Sequence, residues 1–72
     1  MEKLDTRGRI CPIPLFHTKR KLEELSSGDM LEVIADDKTA RETIPQWCRM
    51  HDHTIVSSKE TEDHFIITIR KS

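Results

Sequence analysis

Cysteine is the residue type in this chain whose reactivity depends most on its surroundings, and Cys11 opens the segment Cys-Pro-Ile-Pro at residues 11–14. A helical pattern of apolar residues follows, which predicts a helix that begins at Pro12 and has Cys11 as its N-cap. The first N–H groups of a helix have no acceptor within the helix, so Pro12 and Pro14 would lose no hydrogen bond there. Their rings would also stiffen the first turn. The segment predicts a thiol on a rigid support, and alanine at both prolines is expected to remove no core contact.

The predicted position of Cys11 also favours its ionised form. A helix N-terminus carries partial positive charge, and the Ile13 N–H would be close enough to donate to the sulfur. Arg7 and Arg9 would add to this effect if their side chains turned towards the thiol. Serine, aspartate or asparagine would cap a helix better than cysteine does. The choice of cysteine therefore indicates a reactive thiol rather than a small packed side chain.

Other residues that could do chemistry have simpler interpretations. Cys48 lies on the apolar side of a predicted helix and is interpreted as a core residue. His51 and His53 follow it, but a closed zinc site needs a fourth ligand, so solvated histidines are favoured and no metal site is expected. His17 falls about two thirds of a turn from Cys11 around the predicted helix, which argues against a Cys–His pair.

The elements that must position these residues follow from the hydrophobic pattern. It predicts a strand over 2–6, a helix over 12–25, a strand over 30–35, a helix from about Thr39 to about His51, and a hairpin of strands over 53–60 and 64–71. This order predicts a two-layer fold with both helices on one face of the sheet and the other face open to solvent.

Two details of that pattern need an explanation from the structure. Pro45 would clash in a helix interior, which predicts a break or kink near Ile44. Phe65, Ile67 and Ile69 share the inward face of the last strand, whereas Ile66 falls on the open face and has no predicted partner. Asp36 and Asp37 are interpreted as a turn before the second helix.

Composition limits the possible functions. The chain of 72 residues predicts one domain over 1–72, too small to enclose a large cavity. Its 12 basic and 13 acidic residues are interspersed, so nucleic acid is not expected as a direct ligand. No apolar run resembles a signal or a membrane span, and the 2 cysteines do not form a disulfide framework. A cytoplasmic protein with no membrane partner is expected.

Three stretches resemble the TusA family of small sulfur-carrier proteins, also known as SirA-like proteins. They are LDTRGRICPIPLFHTKRKL, GDMLEVIADDKTARETIPQWC and the closing IRK. The resemblance covers almost the whole chain, and the Cys-Pro-x-Pro motif at a helix start is its specific part. It implies an α/β (α+β) two-layer sandwich, β-α-β-α-β-β, with a four-stranded mixed sheet and two helices on one face, similar to the C-terminal domain of translation initiation factor three.

The resemblance also implies a function for Cys11. This residue would hold sulfur as a persulfide, with Gly8, Pro12, Ile13 and Pro14 supporting the thiol. A cysteine desulfurase or a rhodanese-like protein would supply the sulfur, and a downstream protein acceptor would receive it for tRNA thiolation, cofactor synthesis or sulfur oxidation. No cofactor is expected.

Basic residues near the motif are the expected partner-binding set. Lys19 falls where the family tends to carry a basic residue, and with Arg20, Arg7 and Arg9 it would engage an acidic partner. Many members have an apolar residue where this chain has Arg9, so partner choice is where this chain is expected to differ. The alternative is an ordinary solvated helix face with i,i+4 ion pairs, namely Lys19–Glu23 and Arg20–Glu24. The free protein is expected to be a monomer.

Two other functions remain open. The chain could be a regulatory or interaction module without chemistry, in which case Cys11 would be dispensable. It could also be a redox or selenium-handling protein that uses the same thiol, and the atom added to Cys11 would then identify the reaction.

Overall fold

Four strands and two helices form the part of the chain, residues 2–72, that this computed structural model describes. They are β1 (Glu2–Asp5), α1 (Ile13–Glu24), β2 (Met30–Ala35), α2 (Lys38–Met50), β3 (Thr54–Glu60) and β4 (Phe65–Arg70). The strands form one sheet in the order β1-β2-β4-β3. β1 and β2 are parallel and the other two pairs are antiparallel. The predicted element order and mixed sheet are confirmed.

The core lies between the helices and one face of the sheet. Alternate residues of the two central strands point into it, as strand geometry requires. They are Leu31, Val33 and Ala35 of β2 with Phe65, Ile67 and Ile69 of β4, and they meet Leu22 of α1 and Ala40, Ile44 and Cys48 of α2. The helical members recur at spacings of four residues, so each helix buries one side only.

α2 runs through Pro45 without interruption, so the predicted break near Ile44 is wrong. Proline removes one helical hydrogen bond, to the carbonyl of Arg41, and that residue is exposed to water. Ala40, Ile44 and Cys48 are all fully buried and hold both halves of the helix on the same core. Packing therefore outweighs the local preference of proline.

Ile66 also finds a partner on the open face of the sheet. It pairs with Ile34 across β2 and β4, and both side chains are half-buried. Directly opposed residues of antiparallel strands share a face, so the two isoleucines pack together. Among residues 2–72, no helix has the length and apolar character needed to span a bilayer.

Candidate functional site

Cys11 lies in the loop between β1 and α1, immediately before the N-cap of the helix. The N-cap is Pro12, and Pro14 occupies the second helical position, so the prediction that Cys11 caps a helix beginning at Pro12 is wrong by one residue. The reason is a turn in which the Ile13 N–H donates to the Ile10 carbonyl at 3.0 Å, and it leaves Pro12 with non-helical dihedral angles. The Cys11–Pro12 peptide bond is cis.

A threonine from the other helix contacts the half-buried Cys11 thiol. The Thr43 Oγ1 atom lies 3.9 Å from the Cys11 sulfur, within the reach of a weak hydrogen bond to sulfur. The Ile13 N–H, which the sequence placed beside the thiol, is used by the Ile10 carbonyl instead. Sequence reasoning did not identify Thr43, because the contact depends on how α1 and α2 pack.

One carboxylate ties the Cys11 loop to α2. The Asp37 Oδ2 atom accepts from the Cys11 N–H at 3.3 Å and from the Ala40 N–H at 3.0 Å. Asp37 is therefore the N-cap of α2 and, with the same oxygen, an anchor for the backbone of the cysteine. The sequence predicted only a turn at this residue.

The neighbouring carboxylate anchors the same loop at its glycine. The two Asp36 oxygens accept from the Gly8 N–H at 3.1 and 3.0 Å. Gly8 has a φ of 83°, in the left-handed region that glycine adopts readily. β1 and β2 are parallel neighbours, so the loops that leave their carboxyl ends emerge side by side. The parallel pairing is the signal from which these contacts with Asp36 and Asp37 could have been expected.

The four basic residues predicted for partner binding do not form one cluster. The Arg7 guanidinium is 2.8 Å from the Asp5 carboxylate, and hydrogen bonds from Arg7 lower the pKa of Asp5 to about 2. The Arg7 guanidinium is therefore paired with Asp5 and does not turn towards the thiol. Arg9 and Arg20 line an open groove beside α1.

Lys19 has a different environment. Its Nζ atom lies 5.5 Å from the ring centres of both Phe16 and Trp47, a cation–π arrangement that bridges the two helices. Within residues 2–72, neither of the predicted i,i+4 ion pairs of α1 is present. Lys21 instead lies 3.5 Å from Glu2 and 3.6 Å from Glu24.

Three exposed apolar side chains lie within five residues of Cys11 along the chain. Ile10 is 70% exposed, Phe16 is 55% exposed and Ile13 is 38% exposed. We call these three residues the apolar collar. Isolated exposed apolar residues are common, but Ile13 and Phe16 line one groove, and grouped apolar side chains are typical of surfaces that contact other proteins.

Cys48 has the opposite environment to Cys11. It is fully buried in the core, as its apolar neighbours predicted, and burial raises its pKa to about 11. It is therefore a neutral thiol at physiological pH and cannot be reached in the folded protein. Across residues 2–72, no group of three or more histidine, cysteine, aspartate or glutamate side chains is arranged to hold a metal ion.

The two prolines of the motif also differ, which corrects the expectation that neither contacts the core. Pro12 is exposed, whereas Pro14 is fully buried. Pro14→Ala deletes two buried ring carbons and should lower the free energy of unfolding by about 1–2 kcal/mol from lost burial. Urea unfolding of Pro14→Ala measures the loss, and an unchanged free energy of unfolding would contradict this assignment of Pro14 to the core.

Comparison with known proteins gives consistent results. Residues 2–71 match the profile of the family described as "Sulfurtransferase TusA". A protein of Methanocaldococcus jannaschii, named as a candidate sulfur carrier protein, is 46% identical over 71 residues, with 99% of this chain and 95% of the relative covered. A protein of Archaeoglobus fulgidus with the same type of name is 39% identical over 71 residues, with 97% and 81% covered.

A solved structure supports the fold. The crystal structure of a SirA-like protein from Desulfitobacterium hafniense superimposes with a TM-score of 0.81 and covers 97% of this chain and 96% of that one. The two sequences are 24% identical, so this likeness concerns the fold alone.

Proposed function

We propose, from the premise that this chain belongs to the TusA sulfurtransferase family, that Cys11 carries the transferred sulfur as a persulfide. The observation that supports Cys11 is the contrast between the two cysteines. The Cys11 thiol is half-buried in an anchored surface loop, whereas Cys48 is fully buried with a raised pKa. A partner can therefore reach only Cys11 in the folded protein.

The transfer is an exchange of sulfur between two thiolates. The Cys11 thiolate attacks the outer sulfur of a persulfide on the donor, and a new S–S bond forms at Cys11. The S–S bond of the donor breaks, and its electron pair leaves with the donor cysteine as a thiolate. The acceptor thiolate then attacks the outer sulfur of the Cys11 persulfide, and a new S–S bond forms on the acceptor. The S–S bond at Cys11 breaks, and its electron pair stays with Cys11 as a thiolate. No net oxidation or reduction occurs in either step.

The residues around Cys11 support this exchange in different ways. The Thr43 hydroxyl, 3.9 Å from the sulfur, donates to it when the sulfur carries negative charge. Asp37 holds the Cys11 N–H and so limits the movement of the loop. Gly8 lets the loop turn where Asp36 binds it. Pro12 and Ile13 lead into the first turn of α1, and Pro14 attaches that turn to the core.

The partners are proteins that exchange sulfur by direct contact. A cysteine desulfurase or a rhodanese-like protein supplies it, and a downstream carrier receives it for tRNA thiolation, cofactor synthesis or sulfur oxidation. Cys11 is half-buried in a surface loop, so the donor protein must place its persulfide directly against the thiol. The apolar collar of Ile10, Ile13 and Phe16 gives both partners a surface to dock on.

Sulfur loading tests the proposal directly. Incubation with a cysteine desulfurase and free cysteine should add the mass of one sulfur atom, and a reductant should remove it. Cys11→Ser should abolish this gain, whereas Cys48→Ser should retain it. Mass spectrometry of the intact protein and of its peptides measures both the gain and its position. Sulfur on Cys48 in the folded protein would contradict the proposal.

The same measurements separate the alternative functions. A regulatory or interaction module would keep its activity in Cys11→Ser. A redox or selenium-handling protein would give a different mass change at Cys11, that of an oxidised thiol or of added selenium. Either result would replace the sulfur-carrier proposal.

A further inference from the structure

A groove lies beside the Cys11 loop, between α1 and the edge strand β1. Its volume is about 470 Å³, within the range of roughly 300–1,000 Å³ that is typical of ligand sites. Leu4, Ile13 and Phe16 give it an apolar lining, and Arg9 and Arg20 add two guanidinium groups. Ile13 and Phe16 also belong to the apolar collar, and Arg9 and Ile13 are each two residues from Cys11 in the chain, so the groove lies next to the loop that carries the thiol.

The charges of the groove differ between its two ends. Within residues 2–72, Arg9 and Arg20 make no salt bridge, and both are exposed. Lys21 lines the groove as well, but its ammonium group is shared between Glu2 and Glu24. The uncompensated positive charge therefore comes from Arg9, in the Cys11 loop, and from Arg20, one helical turn beyond Phe16 on the same face of α1.

We infer that this groove binds an acidic segment of a relay partner in which carboxylates flank an apolar side chain. The carboxylates pair with Arg9 and Arg20, and the apolar side chain packs on Ile13 and Phe16. Glu24 lines the groove at the later end of α1 and repels a carboxylate placed there, which sets the register of the segment. The inference rests on the proposed function, since a sulfur relay by contact requires a partner beside Cys11.

Arg9 is the specificity-determining residue of this surface. It lines the groove two residues before Cys11, is exposed, and forms no salt bridge among residues 2–72. Arg7, two residues earlier, is a matched control because it has the same charge but is paired with Asp5 outside the groove.

Peptide binding to the full-length protein tests the inference without any sulfur chemistry. The probes are two pentapeptides with blocked ends, Asp-Leu-Glu-Leu-Asp and its uncharged counterpart Asn-Leu-Gln-Leu-Asn. NMR titration of the ¹⁵N-labelled protein should show shifts at Ile13, Phe16 and Arg20 with the acidic peptide and much smaller shifts with the neutral one. Raising the salt concentration from about 0.05 M to 0.5 M should weaken the binding of the acidic peptide, because the screening length shortens below about 10 Å.

Variants then identify the residues that bind. Arg9→Leu and Arg20→Gln should each lower the affinity for the acidic peptide about two- to fivefold, which is the range expected for loss of an exposed ion pair. Arg7→Gln should leave the affinity unchanged. The ¹⁵N–¹H spectrum of each free variant should match that of the unaltered protein away from the substituted residue, which shows that the fold is intact.

Four results would overturn the inference. They are no binding of the acidic peptide at millimolar concentration, equal binding of the two peptides, shifts confined to another surface, and a loss in Arg7→Gln equal to that in Arg9→Leu. The last would mean that net charge alone attracts the peptide. Sulfur loading on Cys11 is measured separately, so failure of the groove and failure of the persulfide proposal give different results.

Discussion

Asp37→Ala should lower the free energy of unfolding by about 1–2 kcal/mol and also slow sulfur transfer through Cys11. The first effect follows from the loss of an N-cap, because the Asp37 carboxylate accepts from the Ala40 N–H at 3.0 Å. The second follows from the loss of the contact with the Cys11 N–H at 3.3 Å, which frees the loop that carries the thiol. Urea unfolding measures the stability, and single-turnover transfer from a loaded donor measures the rate.

Two matched variants separate these effects. Asp37→Asn keeps a side-chain oxygen that can accept both hydrogen bonds, so it should retain most of the stability and most of the transfer rate. Asp36→Ala removes the contact with Gly8 but leaves the cap of α2 in place. A transfer rate in Asp37→Ala equal to that of the unaltered protein would show that the anchor does not act on the thiol.

Ile44→Ala should have the largest effect on stability, a loss of about 2–5 kcal/mol in the free energy of unfolding. The side chain is fully buried between α2 and the sheet, and its truncation removes buried carbons and leaves a cavity. A chain of 72 residues has little stability to spare, so a large part of the population should be unfolded at 37 °C. Thermal and urea unfolding, followed by circular dichroism, measure the loss.

Ile44→Val and Met50→Ala are the controls for this prediction. Valine removes one methyl group and should lower the free energy of unfolding by about 0.5–1.5 kcal/mol. Met50 lies on the same helix but is 74% exposed, so its truncation should change stability by less than about 0.5 kcal/mol. If Met50→Ala were as damaging as Ile44→Ala, the helix would not be packed as the structure shows.

The hydrophobic pattern was sufficient to predict the elements of the fold. The run MLEVIA is short, rich in branched apolar residues and bounded by Gly28 and Asp36, and β2 has the predicted limits. β3 begins one residue later than predicted, and β4 is one residue shorter than predicted at each end. Such patterns depend on local periodicity, which the sequence contains in full.

The errors in the prediction depend on contacts between segments far apart in the chain. α2 continues through Pro45 because three buried side chains hold it on the core. Lys19 lies over the rings of Phe16 and Trp47 and does not form the alternative ion pair with Glu23, and Trp47 belongs to the other helix. Thr43 reaches the Cys11 sulfur for the same reason. Periodicity cannot predict these contacts, because they depend on the relative positions of the helices.

The two edge strands of the sheet, β1 and β3, have features that oppose self-association of the protein. β3 carries a β-bulge between Ile55 and Ser57 and ends in the charged pair Lys59 and Glu60. β1 is only 4 residues long and is mostly charged. Bulges, charges and short length all discourage one sheet edge from adding to another, the first step of fibril growth. A chain with such edges can expose the apolar collar near its thiol and present it to successive partners. Its strands still do not join those of a second copy into a fibril.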